Sequence, residues 1–248
     1  MFSRRGLASV VLLALSATAT PVSAYVPASD FLLKLLADKR RELAVKDMSA
    51  QLVAEVEGVE GQVDEHLYMK APERVRLVSQ REDGPVVYVE REGQRAAGPE
   101  NALKRLTGTT DLTGLLFMPA GTELEAIGSH LVSTLRSLGV DTSIVSLGRQ
   151  DDTLAYIIGA RPFEPDKPQV WVYKQSLLPM RTVLFEHGRG TPSRVEVRYL
   201  DFGSPVGGDY LPGAIEVYRD GKRVRRAELQ KLSTNQGLPD TLFDVPRR

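Results

Sequence analysis

Hydrophobic and polar residues change period three times along this chain. From residue 50 to residue 90 they alternate. Leu52, Ala54 and Val56 stand against Val53, Glu55 and Glu57, and Val63, Leu67 and Met69 against Asp64, His66, Tyr68 and Lys70. Val75 and Leu77 then stand against Arg74 and Arg76. Period two predicts strands with one apolar face, and Pro72 and Asp83-Gly84 supply breaks between them. Before this stretch, Phe31, Leu32, Leu35 and Leu36 recur at helical spacing, with Ser29 or Asp30 as cap and Lys39, Arg40 and Arg41 near the C-terminal end. The middle is helical again. Asn101 to Leu106 and Asp111 to Phe117 read as short helical turns. Thr122-Glu123-Leu124-Glu125 is a capping box that opens a helix to Leu138, closed by Gly139 and striped by Leu124, Ile127, Leu131 and Leu135. Alternation returns over 142–147, 153–159, 168–175, 180–187, 193–202, 213–219 and 222–233, with Asp220-Gly221 as the last hairpin turn.

These elements predict an α+β fold of ten or eleven short antiparallel strands. A sheet this wide curls. Helices with apolar stripes then cover its concave side, so the expected architecture is an unclosed antiparallel barrel, a half-barrel with an apolar interior. The inward alternation assigns Leu52, Val56, Leu67, Met69, Val75 and Leu77 to that interior from the first strands. Val170, Val172, Val183, Phe185, Val195 and Val197 follow from the later strands, and Leu32, Leu36, Leu124, Ile127 and Leu131 from the helices. Register by one residue would send any strand's set to the other face. The strand Val170-Trp171-Val172-Tyr173 is apolar on both faces and is expected centrally in the sheet.

The first 24 residues add an address. Arg4 and Arg5, the apolar run Gly6 to Ala17 and the small residues Val22 and Ala24 have the anatomy of an export signal cut before Tyr25. Residues 25–248 then form one domain. The 248-residue chain contains no cysteine, so no lipid anchor can be attached after the cut and no disulfide is needed. No later apolar run reaches the roughly 18–20 residues of a membrane helix. Lys+Arg and Asp+Glu both number 32; without Arg4 and Arg5 the balance is 30 against 32, which offers no field for nucleic acid. An exported, unanchored protein is expected, as a monomer.

Three stretches resemble the LolA-like outer-membrane lipoprotein-sorting family. Gly61 to Leu77 matches the family's early hairpin, in which a strand ends in a basic residue, one further residue and a proline. Gly93 to Pro119 is similar to the family's insertion of short helices, and Arg219 to Pro246 to its closing hairpin and tail. The resemblance implies a half-barrel with a helical lid over an apolar cavity that shields acyl chains. It implies lipoproteins or lipids as partners, with an inner-membrane release complex and an outer-membrane acceptor. The family's carriers place an arginine immediately before the proline, where it couples lid opening to loading; here Ala71 stands there, preceded by Lys70. Acyl burial is worth about 0.8 kcal/mol per CH₂, so a sixteen-carbon chain offers roughly 12 kcal/mol gross without any sharp polar motif.

Chemistry-bearing motifs are sparse. His66, His130 and His187 share no metal-ligand spacing, there is no G-x-S-x-G, and Gly188-Arg189-Gly190-Thr191-Pro192 lacks the Lys-Ser/Thr of a phosphate loop. Asp151-Asp152 reads as a turn. No cofactor, no metal and no enzymatic activity are therefore expected. Arg219, Lys222, Arg223, Arg225 and Arg226 form one basic cluster, either for lipid head groups or an acidic partner, or as a solvated hairpin guarding the sheet. The first expectation is a carrier or binder of lipoproteins or other acylated molecules. The second is an envelope protein-interaction or stress-sensing module on the same half-barrel.

Overall fold

Nearly every stretch of period-two alternation becomes a strand that pairs antiparallel with its neighbours. The computed structural model describes residues 26–82, 84–91, 94–98, 113–117, 124–186 and 191–244. The strands are β1 (Asp47–Val56), β2 (Gln62–Lys70), β3 (Arg74–Ser79), β4 (Val86–Arg91), β5 (Gln94–Gly98) and β6 (Val145–Gln150). They continue as β7 (Thr153–Ile158), β8 (Gln169–Tyr173), β9 (Pro179–Glu186), β10 (Ser193–Leu200), β11 (Ala214–Arg219) and β12 (Lys222–Thr234). All twelve form one sheet in the order β5-β4-β3-β2-β1-β12-β11-β10-β9-β8-β7-β6. The sheet is not closed, because β5 and β6 are its two edges.

Sequence patterning expected ten or eleven strands, and β5 is the extra one. Gln94-Arg95-Ala96-Ala97-Gly98 has no strong alternation; its place is set by pairing with β4, from Arg91 opposite Gln94 to Val87 opposite Gly98. Strand β6 begins at Val145 rather than 142, since Asp141 holds a turn by accepting the Ser143 N–H at 3.0 Å. At the centre, β1 and β12 pair from Met48 opposite Thr234 to Val56 opposite Arg225. The turn between β11 and β12 has φ of 50° at Asp220 and 83° at Gly221, the two-residue geometry that matches strand twist. Asp151 and Asp152, at 47° and 63°, make the same kind of turn between β6 and β7.

Among the described residues three α-helices accompany the sheet: α1 (Ser29–Glu42), α2 (Thr113–Phe117) and α3 (Leu124–Ser137). Ser29 and Asp30 do not cap α1. Ala28 is its N-cap, without a side-chain hydrogen bond, and Ser29 Oγ donates instead to Asp30 at 3.4 Å. Gly139, at φ 83°, ends α3 as expected, with the Val140 N–H donating to the Leu135 carbonyl at 3.0 Å. The export signal, the turns at Asn101 to Leu106, the capping box at Thr122 and the glycine-rich run at Gly188 lie outside the described residues. Among the described residues no helix is long and apolar enough to cross a membrane.

The helices occupy the concave side. Leu32, Leu33 and Leu36 of α1, Leu116 and Phe117 of α2, and Leu131 and Leu135 of α3 share one buried cluster with the inward residues of the strands. Both α2 and α3 lie in the chain between β5 and β6, so the connection from one sheet edge to the other carries them. Helix α2 touches both halves of the sheet. A Cβ on Gly114 would stand 2.7 Å from Val75 Cγ2 of β3, and the Phe117 ring lies 5.3 Å from Tyr199 of β10.

Polar and charged groups fill much of the convex side. Arg181 lies 3.9 Å over the Trp171 ring, above a small second cluster with Ile157 and Met180. The tail docks on the other half. Asp47 accepts the N–H groups of Gln236, Gly237 and Leu238 at 2.7, 2.9 and 3.3 Å, and Lys70 and Arg74 reach Asp240 at 2.6 and 2.7 Å. On β10, Glu196 receives Arg198 at 2.6 Å and Arg194 at 2.7 Å, with Arg181 at 3.6 Å. Burial pushes the Glu196 carboxyl up, but the hydrogen bonds and charges of these arginines outweigh burial and hold it below the usual carboxylate value of 4.5. A depressed folded value contributes stability that is complete above the unfolded value and lost as pH falls through the folded one. Unfolding free energy is therefore expected to fall more steeply between about pH 6 and about pH 3 in the native chain than in Glu196→Gln. Urea unfolding at the two pH values measures this, and parallel losses would contradict it.

Candidate functional site

Strand pairing decides which side chains meet on the concave floor. Leu52, Val56, Leu67, Met69, Val75 and Leu77 all face inward and are at most 5% exposed. Val170 and Val172 of β8 and Val195 and Val197 of β10 join them in the same cluster, as do Leu32, Leu36 and Leu131 from the helices. Leu124 and Ile127 are helical, and their side chains lie outside the described residues.

Val183 and Phe185 stand on the other face. Val183 sits opposite Gln169 and Glu196, and Phe185 opposite Arg194. Leu184 and Thr182 take the inward positions, opposite Val195 and Val197. The physical reason is local. Val183-Leu184-Phe185 is apolar at both parities, so alternation cannot choose a face, and only pairing with β10 does. Leu184, Tyr199, Leu229 and Phe117 are floor or cover residues that the sequence assignment omitted. Leu229 had a signal, since it lies on the alternation of β12 with Ala227.

The floor also holds a charge pair. Glu65 lies opposite Leu52 on β1 and Arg225 opposite Val56, so both carry the inward parity. They belong to β2 and β12, the two strands that flank β1, and they join across it over the small side chain of Ala54. Arg225 donates through Nη2 to Glu65 Oε2 and through Nε to Oε1 at 3.3 Å. The Arg225 side chain is 4% exposed and that of Glu65 0%. Ser79, the cross-strand partner of Glu65 on β3, is fully buried, and its Oγ has no hydrogen-bond partner. Arg225 was one member of the basic cluster read in the sequence. The structure splits that cluster. Arg219 pairs with Glu186, Lys222 with Glu57, Arg223 with Glu55 and Glu216, and Arg226 with Glu216 and Glu228, while Arg225 alone among them turns to the floor.

A second buried guanidinium stands at the opposite end of the floor. The sequence suggested Arg40 as a cation near the end of α1, yet it is 5% exposed. It extends the Leu32 and Leu36 spacing by one more step of four. Nη1 donates to the Asp209 carbonyl at 2.8 Å and Nη2 to the Tyr210 carbonyl at 2.7 Å, while the guanidinium lies 4.9 Å from the Phe117 ring centre. Burial lowers its pKa to about 10, with the Asp209 charge working the other way. Phe117, Tyr199, Phe202 and Tyr173 continue from it as ring pairs 5.3 to 6.2 Å apart. Lys70, beside the position of the family's arginine, reaches outward to Asp240 and the Leu238 carbonyl instead.

Near the same end, an open cavity of about 500 Å³ is lined by Asp152, Thr153, Leu154, Tyr173, Lys174, Gln175 and Ser176. It lies at strand-end turns and not among the floor residues. Among the described residues no three His, Cys, Asp or Glu side chains are grouped to hold a metal. His66 stacks on Tyr68, and His130 meets Glu73 at 2.6 Å.

No family model and no curated protein matches the chain. Solved structures do. A LolA superfamily protein from Nitrosomonas europaea is similar at 13% identity, over 89% of this chain and 99% of that one, with a TM-score of 0.49. A DUF1329 family protein from Desulfovibrio piger is similar at 13% identity, over 88% and 98%, with a TM-score of 0.46. A chain of the Pseudomonas aeruginosa MucA/MucB complex is similar at 12% identity, over 86% of this chain and 61% of that one, with a TM-score of 0.28. LolA-like proteins are thus among the structures this chain is similar to, and at these values the likeness says nothing about ligand or partner.

Removing one member of the floor pair leaves a buried charge, whereas replacing both leaves an apolar contact. Arg225→Ala is expected to lose about 3–5 kcal/mol of unfolding free energy, and Glu65→Leu/Arg225→Met to stay within about 1 kcal/mol of the native chain or exceed it. Urea unfolding measures both, and equal losses in the two variants would contradict a coupled pair.

Proposed function

We propose that this chain is a periplasmic carrier or binder of acylated molecules, with lipoproteins as the first candidate ligand. Export follows cleavage after Ala24, and residues 25–248 act as a single unanchored domain. The observation that carries this reading is the floor itself. One apolar cluster is built jointly by the concave face of an unclosed sheet and by helices that are not part of its backbone pairing. The resemblance of the early hairpin, the helical insertion and the tail to the LolA-like family supports the same reading.

The helices are a replaceable cover. Leu32, Leu33 and Leu36 occupy the floor in this structure at 0% exposure. An acyl chain that takes their place exchanges one set of apolar contacts for another. The roughly 12 kcal/mol gross that a sixteen-carbon chain offers is then set against re-exposing helix side chains. Binding and release are thus balanced by helix displacement and need no covalent chemistry.

Lipid mass spectrometry of the protein purified from its native envelope tests the reading. Acylated species are expected to co-purify, and a lipid-stripped sample is expected to take up an acyl probe. A folded protein that is free of lipid and takes up no probe would sink it. Were a stoichiometric protein to come down in place of lipid, the half-barrel would instead be an envelope interaction or stress-sensing module.

A further inference from the structure

The convex face carries a guanidinium that makes no hydrogen bond within the fold. Arg181 of β9 lies 3.9 Å over the Trp171 ring, and among the described residues it donates to none. Its Nε is buried without a partner. A buried donor left unmatched is costly, so stability alone does not account for it.

Strand pairing sharpens the point. Arg181 stands between Trp171 of β8 and Arg198 of β10, so two guanidiniums lie directly opposite each other across β9 and β10. Like charges in that arrangement repel. One carboxylate lies between them. Glu196 accepts Arg198 Nε at 2.6 Å on Oε1 and Arg194 Nη2 at 2.7 Å on Oε2, while Arg181 Nη1 stays 3.6 Å from Oε1. Three guanidiniums thus gather around a single carboxylate. Glu216, opposite Arg198 on β11, is already shared by Arg223 and Arg226 and does not cancel the excess. Burial lowers the Arg181 pKa. Glu196 opposes that, Arg198 and Arg194 add to it, and Asp151 opposes it more weakly.

Aromatic rings hold both facing guanidiniums flat. Arg181 lies on Trp171, and Arg198 lies 4.4 Å from the Tyr218 ring centre. A stacked guanidinium keeps its N–H edges for acceptors in its own plane, which suits the oxygens of a phosphate. The side chains of Arg181, Arg194 and Arg198 are 18%, 25% and 32% exposed. An oxyanion can therefore reach them from solvent across the open face.

We propose that Arg181, with Arg198 beside it, forms a binding site for a phosphate oxyanion on the convex face. Glu196 is a positioning residue that fixes Arg198 by its Nε. Its charge opposes the anion, and the three arginines around it outweigh that charge. The site lies on the face opposite the acyl floor and does not depend on the carrier reading.

The test is thermal unfolding of the purified chain in inorganic phosphate, against sodium chloride of equal ionic strength. Phosphate is expected to raise the unfolding temperature saturably. Arg181→Gln leaves Glu196 its two hydrogen-bonded arginines, and circular dichroism checks its folding. It should weaken the apparent affinity about tenfold. Arg149→Gln removes an equal charge from an exposed position on β6 and should leave the affinity unchanged. Flotation on phosphatidic acid vesicles distinguishes the source of the oxyanion. Phosphate binding without flotation assigns the free ion, and flotation that Arg181→Gln abolishes assigns a lipid head group; either supports the site. A native chain that neither gains stability in phosphate nor floats overturns it. So do equal losses in Arg181→Gln and Arg149→Gln, or flotation that Arg181→Gln leaves unchanged. Acyl-probe uptake by Arg181→Gln should match that of the native chain, so failure of this site leaves the carrier reading standing.

Discussion

The concave face of the sheet is apolar over most of its area, and without closure only the helices and the chain between the two edge strands can shield it from water. This constraint organises the molecule. A closed barrel of twelve strands would bury its interior by pairing its last strand with its first. Here the first and last strands do pair, but at the centre of the sheet, so the unpaired edges fall to β5 and β6. Those two strands bracket the helical segment in the chain. The same segment that joins the edges therefore carries two of the covering helices. Another covering helix, α1, comes directly before the central strand β1 and contributes Leu32, Leu33 and Leu36 to the same cluster.

Curl needs a device that brings strands together on one face. Glu65 and Arg225 are joined across β1 from strands that are not neighbours, above Ala54. A larger residue at Ala54 would lie under that contact. The pair therefore ties together the first and last meanders at the point where they meet. At the other end, Arg40 ties α1 to the carbonyls of Asp209 and Tyr210, beside Phe117 of α2. The floor thus has two chemically different ends, with hydrocarbon between them.

Much of the fold was legible because alternation is a local property. Leu52, Val56, Leu67 and Met69 needed only their own strands to be assigned inward, since each apolar position is flanked by a charged or polar one. Val183 and Phe185 failed for the converse reason. Their strand carries apolar residues on both sides, and its face is set by Val195 and Val197 of the next strand. Arg40 and Arg225 were read by type, as surface cations, although each continues an inward pattern. Arg40 follows Leu32 and Leu36 at four-residue steps, and Arg225 precedes Ala227 and Leu229 at two-residue steps. Position in the period was the better guide than side-chain charge.

By itself the sequence determined the strands, most of their inward faces, the helical interruption between two meanders and the lack of any thiol chemistry. These follow from period, turn residues and composition, which act over a few neighbours or over the chain as a whole. Tertiary structure alone decided which edges stay open, which face β9 presents and which cation goes inside. Each depends on pairing between distant segments: Glu65 and Arg225 are 160 residues apart, and nothing near either residue specifies the other. A buried charge is tolerable only where its partner arrives, and that is a property of the assembled sheet.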